Sequence, residues 1–112
     1  MNWIELKSLV QLEELEHSSK EHPVLIFKHS SQCSTSWMAW DRLQRNHTSG
    51  EMENVKKYFL DLLSYREISN AIARKFEVEH ESPQAILIKN GKAIYSASHF
   101  EIDYKRILEK TI

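Results

Sequence analysis

The run Val24-Leu25-Ile26-Phe27 limits the fold more than any other stretch of this chain. It is apolar throughout, opens after Pro23 and meets no charge until Lys28. A strand with one wet face alternates apolar and polar residues, whereas an unbroken apolar run of strand length belongs inside a sheet covered on both faces. Covering both faces takes helices before and after the strand, which points to an α/β fold in three layers. With 112 residues the chain has enough length for one such core and not for two. A single domain over residues 1–112 is therefore expected, and two glycines and two prolines leave no linker to divide it.

Elements on either side can be read from local signals. Trp3 to Leu6 predicts a short strand, and Ser8 an N-cap for a helix with Leu9, Leu12 and Leu15 on one face, ending near Ser18-Ser19. Ser34 to Arg45 turns helical, with Trp37, Trp40 and Leu43 recurring at three-residue steps as core positions. The polar stretch Asn46 to Asn54 reads as a surface loop. Tyr58 to Leu63 is a second apolar strand, after which Ser64 can cap a helix carrying Ile68, Ala71, Ile72 and Phe76. Gln84 to Lys89 and Lys92 to Ala97 flank Asn90-Gly91, the dipeptide best suited to a type I′ turn, and predict an antiparallel hairpin. A last helix takes Phe100, Tyr104, Ile107 and Leu108. The order is β-α-β-α-β-α-β-β-α, that of a thioredoxin-like fold with a central mixed sheet flanked by helices.

Charge narrows the partners. Fifteen basic and sixteen acidic residues give a formal net charge of −1, which leaves no basic footprint for nucleic acid and no polybasic patch for anionic lipid. No apolar stretch approaches the ~20 residues that cross a bilayer. The first residues lack the charged-then-apolar pattern of a signal peptide, so a cytoplasmic protein is expected. Six histidines stand without an H-x-x-x-H pair or a C-x-x-C, so no protein-only metal site is expected. Most of them read as surface residues.

One cysteine, Cys33, carries the chemistry. It falls where the apolar strand gives way to Ser34-Thr35-Ser36 and a helix. Unpaired N–H groups at a helix N-terminus favour a thiolate over a thiol, and ligands collect at the carboxyl ends of strands in such folds. Cys33-Ser34-Thr35-Ser36 is the C-x-x-S form of the dithiol C-x-x-C motif, with Ser36 where a resolving cysteine would lie. Cys33 and Ser36 are the candidate catalytic residues. Ser34 and Thr35 add hydroxyls beside them. Ser82-Pro83 immediately precedes the hairpin, where thioredoxin-like folds hold a cis proline facing the active thiol; its cis form would expose the Ser82 main chain to an extended partner. His29, four residues before Cys33, would lower the thiol's pKa if charged, and Lys28 has a similar electrostatic claim. With a single sulfur, any disulfide must join Cys33 to another molecule.

Phe27-Lys28-His29-Ser30, Cys33-x-x-Ser36, Ser69-Asn70-x-Ile72-Ala73, His80-Glu81-Ser82-Pro83-Gln84, Ile86-Leu87-Ile88-Lys89-Asn90-Gly91-Lys92 and Ser98-His99 together resemble the monothiol bacilliredoxins, over nearly the whole chain. The resemblance implies a thiol-disulfide oxidoreductase that removes bacillithiol, a low-molecular-weight thiol, from protein mixed disulfides through a Cys33-bacillithiol adduct. It implies bacillithiolated client proteins as partners, a low-molecular-weight thiol as co-substrate and no bound cofactor. Candidates for holding the malate of bacillithiol are Lys28, His29, Arg42 and backbone N–H groups. In that family proline usually follows the cysteine, where Ser34 stands here. Dithiol thioredoxins carry a buried aspartate six residues before the first active cysteine, where this chain has Phe27, consistent with its having no resolving thiol to deprotonate. Two other functions compete: a binding or adaptor module whose thiol is modified without turnover, and a cluster-holding protein of the C-G-F-S type, whose glycine and phenylalanine this chain lacks.

Overall fold

The computed structural model describes residues 1–112. Its elements follow the expected order: β1 (Trp3–Glu5), α1 (Leu9–Ser18), β2 (Val24–His29), α2 (Ser34–Asn46), β3 (Lys56–Asp61), α3 (Arg66–Phe76), β4 (Gln84–Lys89), β5 (Lys92–Ser98) and α4 (Tyr104–Lys110), with a single 3₁₀ turn at His99–Glu101. The five strands form one sheet in the order β1-β3-β2-β4-β5. β2 is central, pairing parallel with β3 and antiparallel with β4, and all six of its residues are buried. The unbroken apolar run is thus explained by a strand with protein on both faces.

Alternation along β2 divides the core into two layers. Val24 and Ile26 pack with Leu12 and Leu15 of α1, Ile68, Ile72 and Phe76 of α3, and Ile86 and Ile88 of β4. Leu25 and Phe27 pack on the opposite face with Ala39 and Leu43 of α2, Ala85 and Leu87 of β4, and Tyr104 and Ile107 of α4. Since side chains alternate in a strand, Lys28 continues the first layer and His29 the second. The chain closes the hairpin through Asn90 and Gly91, both at positive φ (53° and 74°), as the type I′ turn requires. Ser8 caps α1, its hydroxyl accepting the Gln11 N–H at 3.2 Å.

Several local expectations shift. β3 begins at Lys56, two residues earlier than the apolar pattern indicates, because Lys56 and Lys57 still complete the parallel ladder with Val24 and Leu25. Lys57 is tolerated there because its ammonium donates to the carbonyls of Met52 and Val55. The loop runs from His47 to Asn54, Asn46 being the last residue of α2, and Met52 within it is buried in the second core layer. Ser64 does not cap α3; the N-cap is Tyr65, and the Ser64 hydroxyl donates to Asp61 instead. Phe100 lies in the 3₁₀ turn and is 71% exposed. Trp37 is half-exposed rather than core.

Candidate active site

β2 ends at His29, and four residues carry the chain to α2. The Cys33 N–H donates to the Ser30 carbonyl at 3.1 Å, and the Cys33 carbonyl accepts the N–H groups of Ser36 and Trp37 at 3.1 and 3.2 Å. Cys33 is therefore the N-cap, in extended conformation (φ −119°, ψ 118°). Its side chain makes no capping hydrogen bond, leaving the sulfur uncommitted. The thiol is free and partly exposed, beside the unpaired N–H groups of a 13-residue helix. Ser34 is exposed and Thr35 half-buried around it.

Ser36 is fully buried behind the cysteine. Its Oγ accepts the Ser30 N–H at 3.1 Å and lies 2.6 Å from His29 Nδ1, tying the strand end to the first turn of the helix with Cys33 between them. The imidazole stacks edge-on against Trp37 at 4.4 Å and sits 5.3 Å from Phe59. Burial pushes the His29 pKa below its ordinary value, partly opposed by the Asp61 carboxylate. A neutral ring then accepts the Ser36 O–H at Nδ1. Trp37 covers the ring and donates its indole N–H to the Ser31 carbonyl at 3.0 Å.

The expectation that Lys28 and His29 reach a ligand needs revision. His29 is 2% exposed and Lys28 wholly buried, on opposite faces of β2. Lys28 Nζ donates to the Ser69 carbonyl at 3.1 Å and to His80 Nδ1 at 3.3 Å, under α3 and away from the cysteine. Arg42 is likewise occupied, its guanidinium donating to the carbonyls of His99 and Ile102. Ser82-Pro83 is a cis peptide, and Pro83 is buried with its carbonyl accepting the His99 N–H at 3.1 Å. Lys28 pairs with Gln84 across the β2–β4 ladder, so the next step puts Pro83 level with His29 at the carboxyl end of β2. Cys33, Ser34, Thr35, Ser36 and the Ser82-Pro83 loop thus share one end of the sheet.

Residues 4–107 match the family model for monothiol bacilliredoxin BrxC. The chain belongs to this family. Among solved structures, a protein assigned provisionally as an oxidoreductase with a thioredoxin fold is 29% identical, with a TM-score of 0.78 over 95% of this chain and 90% of that one. Thioredoxin from Malassezia sympodialis is 14% identical with a TM-score of 0.77, covering 98% and 90% of the two chains. Thioredoxin from Fasciola hepatica is 19% identical with a TM-score of 0.69, covering 96% and 94%. The last two likenesses establish the thioredoxin fold. With the family, they make this chain a thioredoxin-fold thiol oxidoreductase.

Residue spacing did not reveal two contacts at the carboxyl end of β2: His29 to Ser36 behind the bacilliredoxin cysteine, and Lys28 to His80 on the opposite face. A usable signal was present, since period-two alternation in a strand buried on both faces forces two consecutive polar residues to opposite sides. No group of three or more His, Cys, Asp or Glu side chains is placed to hold a metal ion. No helix is long and apolar enough to cross a membrane.

Proposed function

We propose that this bacilliredoxin removes bacillithiol from protein mixed disulfides by a monothiol route. The Cys33 thiolate attacks the bacillithiol sulfur, an S–S bond to Cys33 forms, the client S–S bond breaks, and the client cysteine leaves as a thiolate. A second thiol, bacillithiol or another low-molecular-weight reductant, then attacks the adduct and regenerates Cys33. Bacillithiol is a co-substrate in this reading, and no prosthetic group takes part. Partners are bacillithiolated client proteins and the small thiol, with neither nucleic acid nor membrane involved. A chain with one unpaired cysteine suits a reducing compartment, so the proposed location is the cytoplasm.

The observation that carries this reading is a partly exposed, uncommitted thiol at the N-cap of α2 with a buried serine three residues on. Such a sulfur forms an adduct and has no internal partner to resolve it. In this reading Ser34 and Thr35 line the substrate approach, and the Ser82 main chain beside Pro83 meets the client. The test is release of the client thiol from bacillithiol and glutathione mixed disulfides, with adduct mass followed in parallel. Wild type should release the client and carry bacillithiol on Cys33, and Cys33→Ala should do neither. A single round of adduct formation and client release, with no further turnover in excess bacillithiol, would identify an adaptor, and equal rates on both disulfides would remove the bacillithiol specificity.

A further inference from the structure

Resting on that reading of Cys33 as nucleophile, one question is where its proton goes. A thiol attacks as a thiolate, so a proton must leave Cys33 before the new S–S bond forms and must reach the departing sulfur afterwards. Phe27 occupies the place of a buried acid on β2, and the first turn of α2 has no acidic residue. On this face His29, at the end of β2, is in contact with the first turn of α2 through Ser36 and Trp37. Its Nδ1 lies 2.6 Å from the hydroxyl of Ser36. Ser36 is three residues on from Cys33, and side chains at N-cap and N3 lie on the same side of a helix start.

We propose that His29, acting through the Ser36 hydroxyl, holds the proton that Cys33 gives up, and that Asp61 stabilises the imidazolium so formed. In the resting chain Ser36 O–H donates to His29 Nδ1, while Ser36 Oγ accepts the Ser30 N–H. For transfer, the Cys33 S–H bond breaks and its proton passes to Ser36 Oγ as the original hydroxyl proton passes to Nδ1. The imidazolium then donates from Nδ1 to Oγ, and the Ser36 hydroxyl turns toward the thiolate. After attack, the proton returns by the same path to the client sulfur. Overall, Cys33–SH and the mixed disulfide become the Cys33 adduct and the client thiol, with no oxidant or reductant consumed.

Two buried atoms without partners support the far end of this path. His29 Nε2 has no hydrogen-bond partner, and neither does Asp61 Oδ1. The two residues are direct partners in the parallel β2–β3 register, so their side chains emerge on the same face. A donor and an acceptor left unpaired side by side are costly in a neutral ring and useful to a charged one. Asp61 keeps its other oxygen on the Ser64 hydroxyl at 3.0 Å. Around His29, α2 contributes Ser36 and Trp37, β3 contributes Phe59 beside Asp61, and Lys28 points to the opposite layer. β1 brings Glu5, the register partner of Phe59, and Lys7 to the cavity that Phe59 and Asp61 line, with the Lys7 ammonium paired to the Glu5 carboxylate at 2.8 Å. His29 is thus a positioning and proton-holding residue, buried beyond reach of substrate.

Alkylation of Cys33 by iodoacetamide across pH tests this without any bacillithiol. His29→Asn retains an acceptor near the Nδ1 position but cannot titrate, and Ser36→Ala cuts the path. Each should lower the alkylation rate near neutral pH about tenfold and move the profile upward by about one pH unit. Asp61→Asn should shift it in the same direction. A folded His29→Asn protein with the wild-type profile would overturn the proposal. If that variant fails to fold, NMR titration of His29 decides: its midpoint should move between wild type and Cys33→Ala, and identical midpoints would refute the coupling. Failure of the bacillithiol reading would look different, as normal alkylation without client release.

Discussion

Lys28→Met should make the protein more stable at neutral pH and less dependent on alkali. Lys28 is wholly enclosed, and burial pushes its pKa from 10.5 down to about 8. At about 1.4 kcal/mol for each pKa unit, the folded chain carries a penalty of roughly 3 kcal/mol for this ammonium while it remains charged. Between about pH 8 and pH 10.5 the folded chain has released the proton and the unfolded chain has not, so stability rises with pH across that window. Methionine preserves the length of the side chain without the charge. It also gives up the donations to the Ser69 carbonyl and His80 Nδ1, together worth about 1 kcal/mol net.

The variant is therefore expected to gain about 2 kcal/mol near pH 7, and to lose that advantage by about pH 10.5. Urea unfolding followed by tryptophan fluorescence at several pH values measures the gap. Only the difference between the two proteins isolates Lys28. Burial also lowers the Lys57 pKa, adding to the alkaline rise, while the raised pKa values of Tyr58 and Tyr104 oppose it at higher pH. Parallel stability curves, with a gap that does not narrow from neutral to alkaline pH, would show that the ammonium carries no burial penalty and refute the reasoning.

Two further outcomes follow from packing. Ile86→Ala empties a fully buried position opposite Ile26 in the centre of the sheet and should cost about 3 kcal/mol in urea unfolding; a loss under about 1 kcal/mol would contradict its place in the core. Tyr104→Phe removes a hydroxyl that donates to Glu51 and lies 2.9 Å from His47 Nδ1, pinning the loop after α2 to α4. It should cost about 1 kcal/mol, and the amide protons of residues 47–52 should exchange faster; unchanged exchange would show that the loop is held elsewhere.

Much of the fold was legible because its signals are local. Ser8 caps a helix, Asn90-Gly91 turns a hairpin, and the apolar run of β2 demands cover on both faces, each fixed by a few adjacent residues. Errors arose where a distant neighbour decided. Lys56 and Lys57 lie outside the apolar pattern but complete a parallel ladder, and Phe100 and Trp37 look like core but stay at the surface. Ser64 has the right chemistry for a cap and spends it on Asp61.

The site divides in the same way. By itself the sequence determined that one sulfur stands at a strand-to-helix junction, that Ser36 replaces a second thiol, and that Ser82-Pro83 precedes the hairpin. Only the tertiary structure decided which partners Lys28 and His29 meet in their opposite layers, Ser69 and His80 under α3 for the one and Ser36 for the other. It also set His29 beside Asp61, 32 residues away and joined to it by register alone. The physical reason is that alternation and capping act over a few bonds, whereas burial, and with it which polar atom lacks a partner, depends on the whole folded chain.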